Sequence, residues 1–409
     1  MNRVFLSLIA AASILSSAAY KLPEQSIDGL ATAAANVANC EGADCAFYNP
    51  ANISFLQENM QFIEGGLSFV HLPSVKFEGS QTILSQTYKA DAKSRVDNAV
   101  IPYFHYVSKA YGPWRYSVSV TVPAGLRKRW DSPIQKLYAK EFSLKTLMLN
   151  PSIAYKFNKN FSLAIGADIV YSKGKVYSDG SGANLPIKRQ MKGDSIDYGF
   201  NIAAALHLDN GINLAATYRS KIKLSEKGKA NLYFGGVGQK YNASVNIYIP
   251  AALSLAVSKD FNKFSLELVY ERTFWSSYKS LDFNYDREIL TALKPHFDKP
   301  IAKNWKDTNT FRLGLKYRYS DKLTLLAGYA YDETPIKSKY ISYELPDSDA
   351  HVFSIGFNYK QNSNLTWGAG LLYDYKKKRV INTPNNNGLK GKFSKGGAML
   401  VTAGFKYSF

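Results

Sequence analysis

The chain has 409 residues, with 51 Lys and Arg against 32 Asp and Glu and a formal net charge of +19. Its mean hydropathy of -0.23 and the lack of any long apolar run past the N-terminus exclude a helical membrane bundle, which needs roughly 20 consecutive apolar residues per span. They do not exclude a β-barrel, whose lipid face is hidden in alternation, and the 29 Tyr and 23 Phe suit the aromatic girdles of such barrels.

The first residues, MNRVFLSLIAAASILSSAA (1–19), carry an early cation at Arg3, an apolar run from Val4 to Leu15 and small residues at Ser17 and Ala19. That pattern predicts a secretory signal cut after Ala19. In an exported chain a basic balance points to anionic lipid headgroups or an acidic cargo, and no Arg-rich helix or nucleic-acid motif is present.

Residues 20–61 have neither strand nor extended helix periodicity. LATAAANVA (30–38) is rich in the best helix former and predicts a short helix. Asn49 and Pro50 predict a turn, because the residue before proline avoids the helical region. The only two cysteines, Cys40 and Cys45, lie here. In an oxidising compartment this spacing is most simply a local disulfide, with a free or transient pair as the alternative; no further His or Cys lies close enough in sequence to suggest metal.

From about residue 62 the signal is period-two alternation, the mark of strands with two chemically different faces. Phe161, Leu163, Ile165, Ala167, Ile169 and Tyr171 share one face; Phe311, Leu313, Leu315 and Tyr317 repeat the design, as do Phe353, Ile355, Phe357 and Tyr359. About fourteen strands follow, starting near residues 62, 99, 114, 142, 161, 195, 211, 245, 262, 309, 322, 350, 364 and 397. Tight turns rich in Asn, Asp and Gly (157–160, 208–211, 259–263, 319–322, 360–364) alternate with long polar links (73–98, 127–141, 174–194, 225–244, 276–308, 333–349, 376–396). An even strand count with short and long connections in alternation is the plan of an outer-membrane barrel with one end in the periplasm. The fold class is therefore all-β: a transmembrane antiparallel barrel over 62–409 that closes on an aromatic, Phe409. The compact element at 20–61 has one obvious place, inside the lumen as a plug or hatch.

At this level of detail the chain resembles the FadL/TodX family of outer-membrane transporters for long-chain fatty acids and hydrocarbons. The resemblance is carried by SIDGLATAAANVANCEGADCAFYNPA (26–51), ending in Asn49, Pro50 and Ala51, and by VTVPAGL (120–126) at the end of the third strand. TYRS (217–220), YDETP (331–335) and LPDSD (345–349) look like further family landmarks. Cys40 and Cys45 are not part of the general family pattern, and Ala124 stands where the family commonly carries a bulky aromatic.

The resemblance implies capture of a hydrophobic molecule among the extracellular loops, passage to a pocket beside the hatch, and sideways exit through the wall at a kink formed by Pro123, Ala124, Gly125 and Leu126. Pro123 cannot donate to the sheet ladder and Gly125 tolerates a bend. On the tenth strand Arg312, Lys316 and Arg318 face inward, as do Glu267 and Glu271 on the ninth, where strand-to-strand pairing is the plain expectation. A fatty acid carboxylate needs a cation or donor, and Arg219, Lys316 and Arg318 are the candidates.

No metal site and no cofactor are expected. The five histidines (71, 105, 207, 296 and 351) group with no Ser, Asp or Asn in a catalytic pattern, so an enzyme is not expected either. The partners expected are a long-chain fatty acid or other hydrophobic small molecule and outer-membrane lipid, with the chain as a monomer. Two other functions compete: a water-filled porin for small polar solutes, and an adhesin acting through its basic loops.

Overall fold

A computed structural model describes residues 19–409; the expected export signal, apart from Ala19, lies outside the described residues. Among them, fourteen antiparallel strands form a barrel. They are β1 (Phe62–Leu72), β2 (Asp97–Val107), β3 (Trp114–Thr121 and Gly125–Lys128), β4 (Glu141–Lys156), β5 (Phe161–Asp179), β6 (Ile187–His207), β7 (Ile212–Arg219 and Ile222–Phe234), β8 (Val237–Ile249 and Ala252–Phe261), β9 (Phe264–Thr273), β10 (Thr308–Arg318), β11 (Leu323–Asp332), β12 (Ala350–Lys360), β13 (Leu365–Lys376) and β14 (Gly397–Ser408). Closure is between β1 and β14, with Phe62 opposite Ser408 and His71 opposite Met399.

The alternation read from sequence sorts side chains as a membrane barrel requires. Leu163, Ile165, Leu268, Leu313, Ile355 and Val401 are exposed on the outer face, while Ser162, Asp168, Glu267, Arg312, Ser354 and Thr402 are buried toward the lumen. Exposed aromatics flank the apolar band, Phe157, Phe261, Tyr317, Trp367 and Phe409 at the tight-turn end and Tyr198, Phe311, Phe353 and Tyr375 toward the other, where amphipathic rings sit at headgroup level.

Two strand starts and the links beside them need correction. β6 begins at Ile187 rather than near 195, and β8 at Val237 rather than near 245. The links expected over 174–194 and 225–244 are instead largely hairpin: Lys188–Leu206 pairs with Asp179–Phe161, and Ile222–Phe234 with Ile249–Val237. Lysines on the outward face made these segments look like loops, yet a ladder continues past the membrane because water solvates that face without disturbing backbone pairing. The links at 73–98 and 376–396 also contain strands, which join in a separate small sheet in which Lys76–Gln81 pairs with Ser394–Leu389.

The described part of the N-terminal segment, 19–61, is buried almost throughout as far as Ser54. Its helix α1 is Ile27–Ala31, earlier than the expected 30–38. Ser26 starts it, accepting from the Gly29 amide through Oγ at 2.8 Å, which a side chain at an N-cap does for an otherwise orphaned donor. Ala33 and Ala34 end it in the left-handed region, at φ 51° and 62°, so the alanine run turns along the wall instead of continuing as helix.

Candidate transport path: loop groove, hatch and wall opening

The hatch is seated on a row of glycines. A Cβ added to Gly314 on β10 would lie 2.9 Å from Ala35 Cβ, one on Gly328 of β11 2.1 Å from the Thr32 carbonyl carbon, and one on Gly356 of β12 2.6 Å from Ala31 Cβ; on β13, Gly370 would bring one 3.0 Å from Leu30. Four successive strands thus lack side chains where the hatch meets the wall.

Lumen charges complete the seat. Glu267 accepts from the amides of Val37, Ala38 and Asn39 at 2.6, 2.7 and 3.1 Å, and Arg312 donates to the Ala33 carbonyl at 2.9 Å. Asp28 on α1 meets Lys406 at 2.6 Å, Lys316 at 3.4 Å and the Asn358 amide at 2.7 Å. Burial opposes its ionisation, but Lys406 and Lys316 outweigh that and hold its carboxyl well below the usual range. The strand-to-strand ion pairs expected of these residues are mostly replaced by contacts to the hatch; Arg312 with Glu271, at 3.6 Å, keeps the expected kind.

Asn49, Pro50 and Ala51 lie where hatch and wall meet. Asn49 caps the short 3-10 helix Pro50–Phe55, accepting from the Ala51 amide at 3.1 Å and donating to the carbonyls of Val37 and, on β6, Ala204. Pro50 fills the first helical position, where no amide is needed. The Ala51 carbonyl accepts from Ser162 of β5 at 2.6 Å. Cys40 and Cys45 are joined to each other, Cα atoms 5.3 Å apart, which closes the small loop just before this motif.

The third strand breaks between Thr121 and Gly125. β3 pairs with β2 only over Ser117–Val120 opposite Val107–Phe104, and the two edges meet again at the outer end, where the Arg95 amide donates to the Arg129 carbonyl and Arg129 pairs with Asp97 at 2.5 Å. In between, β2 has no strand partner on that side among the described residues. Pro123, Ala124 and Gly125 turn instead to the N-terminal segment. The Leu22 amide donates to the Pro123 carbonyl at 3.0 Å and the Gly125 amide to the Tyr20 carbonyl at 2.9 Å. Gln25, fully buried, serves both backbone groups of Val122, at 2.9 and 3.0 Å. Leu126 faces inward into the apolar cluster that also holds Tyr20 and Trp305. Behind the gap stand Leu22, Val70, Ala99, Ile101 and Val122, a buried apolar group.

Two cavities border this place, and another, larger one adjoins one of them. The outermost, about 790 Å³, lies among the loops and is walled by Leu137, Tyr138, Phe142, Leu281, Phe283, Phe297 and Tyr343. Arg189 lines it, buried between the rings of Phe283 and Phe297 at 4.6 and 4.9 Å, with Ser178 Oγ as a hydrogen-bond partner at 3.2 Å and no carboxylate within pairing distance among the described residues. A smaller inner cavity shares Phe142, Leu281, Ser342 and Glu344 with it and reaches Tyr20, Leu126, Tyr278 and Trp305. Lys303 and Glu344 form a buried pair at 2.6 Å there; burial works against the Glu344 carboxylate, but Lys303 holds its titration below the usual range. The third cavity, about 100 Å³, lies on the other side of Lys21 and Leu22 and is bounded by Phe47, Pro50, Pro123 and Arg219. Tyr20 stands between the last two, packed on Trp275 and Trp305 at 5.0 and 5.8 Å.

Of the three cations expected to serve a carboxylate, Arg219 borders one of these three cavities and the other two do not; it is paired with Asp168 and stacked on Phe47 at 5.2 Å. Lys316 is spent on the hatch, donating to the Asn39 carbonyl at 2.6 Å. Arg318 sits exposed by the 259–263 turn, bonded to the Asn262 carbonyl at 3.1 Å. Arg189 was missed because IKRQMKGD reads as polar loop; Gln25 was missed because nothing in KLPEQS marks one amide as a strand substitute.

Nearly the whole chain also matches a known family. The model of the outer membrane protein transport protein family (OMPP1/FadL/TodX) matches residues 8–409. The chain belongs to that family. Long-chain fatty acid transport proteins of Escherichia coli and Salmonella typhi are 24% identical over 374 residues and 25% over 386, covering 81% of both chains in the first case and 84% of this chain and 85% of the relative in the second. Among solved structures, a Pseudomonas aeruginosa FadL homologue superposes with a TM-score of 0.79 at 23% identity, over 96% of this chain and 99% of that one. The toluene transporter TodX of Pseudomonas putida gives 0.70 at 17%, over 95% and 98%. The chain is accordingly a bacterial outer-membrane β-barrel of a FadL-family transport channel for hydrophobic compounds, and the family is not enzymatic.

Proposed function

We propose that this chain carries long-chain fatty acids, or hydrophobic molecules of similar shape, from the cell exterior into the outer membrane. After export by a cleaved signal over 1–19, the hatch (20–61) and barrel (62–409) work together. The loop groove takes the alkyl chain, with Arg189 at its wall as the cation for a carboxylate. The inner cavity receives it next to Tyr20, and release is sideways at the gap between β2 and β3. The chain acts as a monomer.

The observation that carries this reading is the gap itself. The sheet is interrupted at Pro123, Ala124 and Gly125, apolar side chains stand behind it, and the segment bonded to its edge is the same one that separates the inner cavities. Sideways release follows from solvation: each CH2 group is about 0.8 kcal/mol better off in hydrocarbon than in water, so an alkyl chain at the gap moves to lipid rather than to an aqueous exit. A porin reading finds no support in a lumen filled by a hatch bonded to strands all round it.

The test is uptake of labelled oleate by cells lacking their own transporter, comparing the parent with a variant in which 122–125 is replaced by a regular strand sequence. Uptake that depends on the break supports the reading. Equal uptake by both, with equal insertion in the membrane, would remove the gap from the path.

A further inference from the structure

The outer wall carries rows of lysines facing one another across adjacent strands. Lys175 on β5 lies directly opposite Lys192 on β6, and Lys192 directly opposite Lys229 on β7. One step toward the membrane, Lys173 and Lys227 flank Asp194. Like charges in directly opposed positions destabilise a sheet, and none of these five lysines has a carboxylate within pairing distance among the described residues; Asp194 forms no ion pair either. Lys229 donates to Asn242, and Lys192 stands over the Tyr177 ring at 5.9 Å. Around the row stand Lys145, opposite Lys173, Glu141 of β4, which faces Arg127 at 3.7 Å, and Asp286, which accepts from the Asn242 side-chain amide at 2.7 Å.

Their height decides what could neutralise them. On β5 the outward residues run Phe161, Leu163, Ile165, Ala167, Ile169, Tyr171 and then Lys173 and Lys175. From Phe161 to Tyr171 the strand covers about 33 Å, which at a tilt of about 40° is close to the ~25 Å height of a barrel's apolar band. The same order holds on β6, where Phe200, Tyr198 and Ile196 precede Asp194 and Lys192. The lysines therefore stand outside the wall, just above the hydrocarbon, with exposed Ile165, Ile196 and Tyr198 beneath them.

We propose that the Lys175–Lys192–Lys229 row is a binding site for the phosphorylated headgroups of outer-leaflet lipid, whose acyl chains lie along the apolar wall below. Phosphate oxygens bridging neighbouring ammonium groups turn the cross-strand repulsion into attraction. A soluble polyanion would meet the loop crown first, whereas these side chains leave the wall sideways, at headgroup level.

The test uses the full mature barrel in detergent micelles and labelled diphosphoryl lipid A, compared with the same lipid stripped of phosphate. The parent binds the phosphorylated form more tightly. Combining Lys175→Gln, Lys192→Gln and Lys229→Gln weakens that binding by about fivefold per lysine, up to about 100-fold, from the ~1 kcal/mol that each basic side chain contributes at an anionic surface. Equal charge loss at the opposite end, by Lys263→Gln, Lys322→Gln and Lys360→Gln, leaves it unchanged. In phosphate-free micelles the first variant unfolds at a higher urea concentration than the parent, a reading that needs no lipid. The proposal is overturned if the parent does not distinguish the two lipids, if the control variant loses as much, or if soluble polyphosphate binds this row as tightly as the lipid does.

Discussion

Gly328→Ala puts one methyl group into the seam between β11 and the hatch. The new carbon would stand 2.1 Å from the Thr32 carbonyl carbon and 2.5 Å from the Ala33 nitrogen, both backbone atoms, so no side-chain rotation relieves the clash. Overpacking of this kind costs about 1–3 kcal/mol. If the hatch withdraws, it gives up the Arg312 bond to the Ala33 carbonyl and the Ser354 bond to the Ala31 carbonyl, each 2.9 Å, worth together roughly 2–4 kcal/mol with one donor charged. The hatch is expected to loosen at the smaller of these costs, while the barrel, held by its own ladder, persists. Gly65→Ala is the matched control, since its added carbon meets only ordinary contacts at 3.4 Å and beyond. Urea denaturation should show a loss of about 1–3 kcal/mol for Gly328→Ala with little change for Gly65→Ala, and planar-bilayer recording should show intermittent ion conductance in the first alone. Equal stability and equal conductance in the two variants would refute the seating of the hatch on the glycine row.

Other consequences can be checked separately. Glu24 is buried in the hatch and its carboxylate oxygens find no hydrogen-bond partner on any other described residue; burial raises its pKa from 4.5 to about 7, with Arg312 and its own amide pulling it down and Asp374 and Asp332 pushing it up. The folded state is thus favoured in full below about pH 4.5 and loses that advantage as pH rises through 7, a span worth roughly 3 kcal/mol; Glu24→Gln should flatten denaturation midpoints measured from pH 4 to 8. Replacing both Cys40 and Cys45 by Ser should cost about 2 kcal/mol for so short a loop, and thiol labelling of the unreduced parent should leave both unmodified. Arg189→Gln should weaken oleate binding by about tenfold, in keeping with the roughly 1.5–3 kcal/mol of a hydrogen bond to a charged group, and leave methyl oleate binding unchanged, as measured by competition with a fluorescent fatty acid.

Much of the architecture was legible because a barrel in lipid imposes a strict rule on its strands. Leu163, Ile165 and Ile169 had to face outward and Ser162, Asp168 and Ser172 inward, and one-residue slips would have reversed them. The ends of β6 and β8 were not legible, since Lys188, Lys192 and Lys240 on a solvated hairpin look like lysines in a loop. The break in β3 could be placed from Pro123 and Gly125, but its partner could not: Gln25 and the Tyr20 and Leu22 backbones act across about a hundred residues of sequence. Inward cations were also easy to find and hard to assign. Arg219, Lys316 and Arg318 share one pattern, yet Asp168, the Asn39 carbonyl and the Asn262 carbonyl give them three different surroundings. Nothing in the sequence around them marks the glycines at 314, 328, 356 and 370 as a set; that they align across four strands depends on register, which no single strand reveals.

The central claim is that a hydrophobic molecule leaves through the gap between β2 and β3, and a fatty acid bearing a photoreactive diazirine near its methyl end tests it most directly. Cells expressing the mature barrel are loaded, irradiated, and the adducts located by peptide mass spectrometry. The account predicts adducts on the loop groove at Phe142 and Leu281, then on Leu22, Ala99, Ile101 and Val122 around the gap. Adducts on the groove together with the hatch and turns at the periplasmic end, around 55–61 and 208–211, with none at the gap, would contradict it and place the exit through the lumen.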